Sequence, residues 1–122
     1  GRGESLLVVG DVNAKDDEVE GLCGKAGLRE ARYHGSSWGV NTNKFYADSR
    51  YNGPGLRYDR VLFAGSLWVE AHLISEARRF FDGAEFCLSD HFGLLSYVDV
   101  HDARKLLVCL SFCFSCLARI AF

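Results

Sequence analysis

Four side chains suited to polar chemistry stand at or near the ends of apolar runs in this chain: Asp11, Asn13, Asp59 and His91. Short apolar runs are typical of β-strands, and strand ends bring groups that are distant in sequence to one rim of a fold. A carboxylate and an amide orient a water molecule and a phosphoryl oxygen, while an imidazole serves as general acid or base. The set predicts a hydrolytic site for phosphoesters, of the kind that a metal ion assists.

Asp11 and Asn13 follow the continuous apolar run at 5–9 and are two positions apart. An extended backbone points such side chains to the same face, so we expect the carboxylate and the amide side by side. The alternative is ordinary turn chemistry, because Asp and Asn next to Gly are also typical turn residues. The sequence leaves both interpretations open.

Asp59 is a carboxylate among apolar and aromatic neighbours. Burying it is costly unless another group pairs with it, and an imidazole is a suitable partner. We therefore predict that Asp59 orients His91, as the acid of a catalytic triad orients its histidine. Taken alone, His91 also fits a loop histidine whose ring is satisfied by a neighbour.

The apolar pattern predicts strands at 5–9, 56–63, 67–75 and 91–100, a helix at 16–26, and irregular chain at 32–54 and 80–87. The strand at 5–9 should be buried on both faces. Gly24 and Gly27 should fray or end the helix. Ala-Gly-Ser at 64–66 predicts a hairpin between the second and third strands, and Asp-Gly at 82–83 predicts a turn.

The composition suits one small globular domain, with 122 residues of which 48% are hydrophobic. A net charge of −2 is not typical of a protein that binds nucleic acids in general. DNA is still possible as a substrate, because local basic groups or a bound cation can offset the acidic site. The chain lacks Met and begins with Gly1, so we expect a piece of a longer protein. Five cysteines, an odd number, favour a reducing compartment, the nucleus or the cytoplasm.

Residues 106–122 are nearly all apolar or small, with Arg119 as the one charge. We expect a buried strand or helix, or a divergent tail. A tail anchor is the alternative, although the segment is shorter than the roughly 20 apolar residues that span a membrane. This divides the chain into a domain at 1–100 and an apolar tail at 101–122.

Three short motifs follow one another along the chain: Gly-Asp-Val-Asn at 10–13, Arg-Tyr-Asp-Arg-Val-Leu at 57–62, and Ser-Asp-His at 89–91. In this order they resemble the endonuclease/exonuclease/phosphatase superfamily. The resemblance implies an α+β fold, a partial two-sheet β-sandwich flanked by helices, with 1–100 as the C-terminal part of the domain. We expect these residues to supply one of the two packed sheets and a helix, leaving an apolar face uncovered.

The longer strings at 10–19, 37–38, 43, 56–63 and 89–95 are similar to the 5′-tyrosyl-DNA phosphodiesterase family of DNA repair. The resemblance implies a phosphodiesterase that hydrolyses DNA 5′ ends blocked by tyrosine or another adduct. Apurinic or retroelement endonucleases and lipid or inositol phosphatases are alternatives within the superfamily. A non-catalytic remnant or interaction module is the alternative outside the enzyme class.

The resemblance also implies roles for the catalytic residues. Asp11 and Asn13 would lie at the attacking water and the scissile phosphate. His91 would contact that phosphate, Asp59 would hold His91, and Asp90 would lie at the edge of the metal site. The oligomeric state is left open.

Three further residues would bind substrate by the same resemblance: Lys15, Trp38 and Asn43. Lys15 stands where an Arg is usual in the family, which keeps the charge but loses the bidentate fork. Trp38 would line the substrate groove, and its alternative is a core aromatic. Gly39 departs from the family, which has Asp there.

The implied cofactor is Mg²⁺, with Mn²⁺ as a substitute. The family's main metal ligand is a Glu from the N-terminal half of the fold, which has no counterpart in this sequence. We therefore expect residues 1–122 alone to be inactive and the complete protein to be the catalyst.

Overall fold

The computed structural model describes residues 5–39, 53–74, 78–81, 84–87, 91–100, 103–110 and 118–121. For 78–81, 84–87, 103–110 and 118–121 the description is of the backbone. Two predicted site residues, Asn43 and Asp90, lie outside the described residues. Their placement stays a prediction.

The described residues form one helix and nine strands: β1 Leu6–Asp11, α1 Asp16–Ala26, β2 Arg29–Glu30, β3 Asp59–Ala64, β4 Leu67–Ile74, β5 Arg78–Phe81, β6 Ala84–Cys87, β7 Gly93–Val100, β8 Ala103–Leu110 and β9 Ala118–Ala121. The strands make a four-stranded sheet in the order β2-β3-β1-β9, a three-stranded sheet β4-β7-β8, and the pair β5-β6. The pairings are antiparallel. The fold class is α+β, as predicted.

Strand β1 is central in its sheet, since it pairs with β3 on one side and β9 on the other. Leu7 and Val9 on one face are fully buried, whereas Leu6 and Val8 on the other face are half-buried. The predicted strand is confirmed. We expected burial on both faces, and only one face is fully buried. Its last residue, Asp11, lies opposite Asp59 at the start of β3.

One hydrophobic core joins the two larger sheets. Its members come from both, with Leu7 and Val61 from the first sheet and Val69, Leu94 and Val98 from the second. The expectation of a single sheet with an uncovered partner face is therefore wrong. The reason is that β4 and β7 form a second sheet over the first and bury the face that we expected to be open.

The predicted hairpin between β3 and β4 is also wrong, because β3 pairs with β1 while β4 pairs with β7. Gly65 lies between these strands with φ 81°, a conformation that favours glycine. The Arg29 guanidinium donates to the carbonyls of Gly65 at 2.7 Å and Leu67 at 3.2 Å. The chain thus passes from one sheet to the other at a turn that Arg29 holds.

The segment predicted as a connector at 80–87 forms strands instead. β5 and β6 pair antiparallel, with Arg78 opposite Cys87 and Phe81 opposite Ala84. Positions 82–83, the predicted turn, fall between the two strands and lie outside the described residues. Four-residue strands are too short to show a reliable period in the sequence.

The apolar tail contributes backbone to both sheets. β8 pairs with β7, and β9 pairs with β1. A strand was one of the structures that the sequence left open for this segment, while the boundary at residue 100 stays a prediction. In the described part of the chain, no helix is long and apolar enough to cross a membrane.

Helix α1 has the bounds that the sequence predicts. Its first turn is acidic, which suits the positive end of the helix dipole, and the Glu18 carboxylate accepts from the Lys15 backbone N–H at 2.8 Å. Gly27 ends the helix with φ 65°, and the N–H of Leu28 donates to the Cys23 carbonyl at 3.0 Å. These local signals explain why the helix could be predicted from the sequence.

A buried arginine ties α1 to the first sheet. Arg60 of β3 is 1% exposed, and its guanidinium donates to Glu30 at 2.7 Å, to Asp16 at 2.8 Å and to the Ala14 carbonyl at 3.1 Å. Burial lowers the pKa of Arg60, but hydrogen bonds and charges from Glu30 and Asp16 outweigh it and raise the pKa overall. The charge is buried because it is paired.

Two glycines of α1 test this account of where the helix ends. Both have open space where a Cβ would stand, but Gly27 has a left-handed backbone and Gly24 lies inside the helix. We expect Gly27→Ala to destabilise the fold by about 1 kcal/mol and Gly24→Ala to stabilise it by roughly 0.5–1 kcal/mol. Urea unfolding followed by circular dichroism measures both. Shifts of the same sign would contradict the assignment.

Candidate active site

The site begins where two carboxylates meet on neighbouring strands. Asp11 ends β1 and Asp59 begins β3, and the two are direct partners in the antiparallel register. Like charges directly opposite each other in a sheet repel. This end of the sheet therefore needs a third group to offset the repulsion.

The imidazole of His91 supplies that group. Its Nδ1 lies 2.7 Å from Oδ2 of Asp59, and its Nε2 lies 3.8 Å from Oδ2 of Asp11. An ionised carboxylate only accepts hydrogen bonds, so the short contact places a proton on Nδ1 and turns Nε2 toward Asp11. The longer distance exceeds that of a hydrogen bond. The ring thus lies between two acids and is bonded to one of them.

Burial separates the two carboxylates. The Asp59 side chain is 4% exposed, whereas those of Asp11 and His91 are 17% and 15% exposed. Asp59 is committed to the ring, while the side chains of Asp11 and His91 are each partly exposed. This arrangement suits one carboxylate for orienting the ring and the other for contacting a ligand.

Asn13 lies beside Asp11, but not through an extended backbone. Its φ is 49°, in the left-handed region that Asn tolerates better than most residues. Its backbone N–H donates to Oδ1 of Asp11 at 2.8 Å, and its Nδ2 donates to Oδ2 at 3.2 Å. The predicted extended geometry is wrong, because the turn alternative applies. The amide and the carboxylate nevertheless end up side by side.

Sequence reasoning missed the residues that hold Asp59 in place. Ser37 is fully buried, and its Oγ accepts from the N–H of Tyr58 at 3.2 Å and of Asp59 at 3.1 Å. The Tyr33 hydroxyl donates to the Asp59 carbonyl at 2.9 Å. Burial raises the pKa of Tyr33 to about 12, while its hydrogen bond with Ser37 acts in the opposite direction. Both residues lie in the segment predicted as irregular, where no period marks them.

Trp38 joins the same site through its backbone. It forms isolated β-bridges with Leu56 and with His91. Its ring lies 5.3 Å from that of Tyr58, centroid to centroid, and the side chain is half-buried. The next residue, Gly39, has φ 68°, a conformation that favours the glycine found there over the expected Asp. Trp38 is thus beside the cluster, and its substrate role stays a prediction.

Lys15 stands apart from the hydrogen-bonded cluster. It precedes α1 and lines a groove of about 420 Å³ together with Asp16, Arg57 and Tyr58. In this groove Arg57 donates to Oδ1 of Asp16 at 2.7 Å, so part of the positive charge is neutralised. The groove leads past Tyr58, the neighbour of Asp59 in sequence.

The described residues do not by themselves complete an Mg²⁺ site. Mg²⁺ takes oxygen ligands in near-octahedral geometry, usually one or two carboxylates with water. Of the described site carboxylates, Asp59 is buried against His91, which leaves Asp11 alone. Across the described part of the chain, no three His, Cys, Asp or Glu side chains converge as metal ligands. Asp90, the predicted ligand, lies outside it.

No protein-family model, curated protein or solved structure matches the chain. The resemblance to the endonuclease/exonuclease/phosphatase superfamily therefore stays a prediction, carried by the three sequence strings. The geometry of Asp11, Asn13, Asp59 and His91 is an independent observation, and it supports arguments about chemistry rather than about ancestry.

The pKa of Tyr33 gives a pH test of the hydrogen bonds around Asp59. Its value in the fold, about 12, lies above the ordinary 10.0. The neutral phenol therefore contributes stability below about pH 10, and this contribution is lost as the pH rises toward the folded value. We expect Tyr33→Phe to lower stability at neutral pH by about 1 kcal/mol and to flatten its decline between about pH 10 and 12.

Urea midpoints measured across that pH range check this prediction. Tyr97→Phe is the matched control, because Tyr97 is exposed on β7. The control should follow the wild-type curve. A Tyr33→Phe curve parallel to wild type throughout would show that the buried phenol does not contribute this pH dependence.

Proposed function

We propose that this chain supplies part of the active site of an Mg²⁺-dependent phosphodiesterase that hydrolyses a phosphodiester at a DNA 5′ end blocked by tyrosine or another adduct. The observation that carries the proposal is the row formed by Asp59, His91 and Asp11, with the ring nitrogens 2.7 Å and 3.8 Å from the two carboxylates. Asp11 and Asp59 of this row are partners on two strands of one sheet, and the side chains of Asp11 and His91 are partly exposed.

The proposed chemistry divides the work among four side chains. Water held by Asp11 gives a proton to the carboxylate as it attacks phosphorus, an O–P bond forms, and the bond from phosphorus to the leaving oxygen breaks with its electron pair on that oxygen. His91 acts as an imidazolium that donates from Nε2 to a phosphoryl oxygen, because Asp59 holds the opposite nitrogen. Asn13 offers a second donor where negative charge develops. The partial exposure of Asp11 and His91 supports access for a substrate.

The substrate assignment is supported by groups next to this row. Trp38 and Tyr58 form an aromatic pair beside His91, and such rings stack on a terminal base or on the tyrosyl leaving group. Lys15 in the adjacent groove supplies a point charge for a backbone phosphate. Asn43 enters through the resemblance alone, as does the preference for a 5′-tyrosyl end.

The proposed cofactor is Mg²⁺, replaceable by Mn²⁺, with Asp90 as the candidate ligand in this chain. A glutamate elsewhere in the complete protein would complete the ligand set, by the same resemblance. The described donors do not form the metal site by themselves. Chelation with EDTA should abolish hydrolysis, and added Mg²⁺ or Mn²⁺ should restore it.

The decisive assay uses a DNA oligonucleotide with a 5′-phosphotyrosyl group and the protein expressed from its complete reading frame. We expect His91→Ala and Asp11→Asn each to lower the rate by about 10²–10⁴-fold, the usual contribution of a positioned acid or base. His72→Ala is the matched control, because His72 is exposed on β4. The control should keep the wild-type rate. Release of the 5′-phosphate product, resolved on a gel, gives the rate.

Each other result has a defined meaning. Full activity of His91→Ala or Asp11→Asn would exclude the proposed row as the catalytic site. If the protein instead hydrolyses abasic DNA or inositol phosphates, with the same dependence on His91, the proposed reaction would stand and the proposed substrate would be wrong. Absence of hydrolysis with both Mg²⁺ and Mn²⁺ would favour the non-catalytic interaction module.

A further inference from the structure

Ser37 contacts the chain segments of both Asp59 and His91. Its Oγ accepts from the backbone N–H of Tyr58 and Asp59, and its carbonyl oxygen accepts from the N–H of Phe92 at 2.7 Å. We propose that Ser37 is a positioning residue that sets the distance between the Asp59 carboxylate and the His91 ring. The catalytic part of this inference rests on the proposed function.

Two side chains hold the backbone of Asp59, and Ser37 is one of them. The Asp59 N–H donates to Ser37 Oγ, and the Tyr33 hydroxyl donates to the Asp59 carbonyl. Both backbone polar groups of Asp59 are therefore fixed by two side chains. These bonds fix where the Asp59 side chain leaves the backbone, and so the distance over which its carboxylate reaches the ring.

The main chain of Ser37 fixes the other partner. Phe92 follows His91 directly, and its N–H is held by the Ser37 carbonyl. Trp38, the residue after Ser37, forms a β-bridge with His91. One residue thus holds the backbone of the acid through its side chain and the backbone of the histidine through its main chain. The short contact of 2.7 Å between Nδ1 and Oδ2 follows from both.

A second buried serine provides a matched control. Ser96 of β7 is as fully buried as Ser37. Its Oγ has no hydrogen-bond partner among the residues that the structure describes. Ser96→Ala therefore removes the same atom from an equally buried place without breaking a hydrogen bond. Any effect specific to Ser37→Ala then reports on the hydrogen bonds of Ser37 Oγ rather than on the loss of a buried hydroxyl.

The experiment combines proton NMR of the His91 Nδ1–H with steady-state kinetics. A short hydrogen bond to a carboxylate shifts this proton downfield, and its assignment is checked by its loss in His91→Ala. We expect Ser37→Ala to move the resonance upfield or to broaden it away. We also expect kcat to fall by about 10-fold to 100-fold with KM within about two-fold, because the defect is one of geometry. Ser37→Thr, which keeps the hydroxyl, should restore both, and Ser96→Ala should change neither.

The two readouts separate this inference from the proposed function. An inactive wild type whose downfield proton is lost in Ser37→Ala would overturn the phosphodiesterase and leave the positioning of the pair intact. An active wild type whose proton and kcat are unchanged in Ser37→Ala would overturn the inference. If Ser37→Ala does not fold, Ser37→Cys tests the same hydrogen bonds, because a thiol accepts only weakly from the N–H groups of Tyr58 and Asp59. An unchanged proton in Ser37→Cys would then overturn the inference.

Discussion

The hydrogen bond between Asp59 and His91 is the interaction on which the rest of the site depends. Asp59 begins β3 in one sheet, and His91 comes just before β7 in the other, so the bond connects the two layers at one rim. A carboxylate on a side chain that is 4% exposed is costly to bury without a partner. The stability of this rim and the orientation of the imidazole are therefore set by the same contact, and the segment at 37–38 is the part of the chain that enforces it.

Adjacent residues of β3 bury opposite charges toward different partners. Successive side chains of a strand point to opposite faces, and accordingly Asp59 bonds His91 while Arg60 bonds Asp16 at the start of α1. Each charge is compensated locally, so the strand tolerates both. Strand β3 is therefore bonded to α1 on one face and to the residue that precedes the second sheet's β7 on the other face. This leaves little freedom at the residue that orients the ring.

Local signals explain which elements the sequence predicted correctly. Helix α1 carries its acidic first turn and its terminal Gly27 within its own sequence, and the burial cost of Asp59 pointed to an imidazole partner. The prediction of a hairpin was wrong because a Gly-Ser turn does not indicate which strand pairs with β4. Long-range contacts decide it, and one of those at this turn comes from Arg29, 36 residues before Gly65. Ser37 was overlooked as a site residue for the same reason, since its partners are backbone groups more than 20 residues away.

The second carboxylate is what distinguishes this cluster from an ordinary satisfied histidine. A structural pair needs one acid, and Asp59 already fills that role from a buried position. Asp11 lies directly opposite it in register, which costs stability through repulsion, and its Oδ2 lies on the Nε2 side of the ring within reach of solvent. Asn13, held in a left-handed conformation, adds an amide at the same place. Two carboxylates, an imidazole held by one of them, and an Asn in a sparsely populated backbone conformation thus meet at one rim, which is more than a structural ion pair requires.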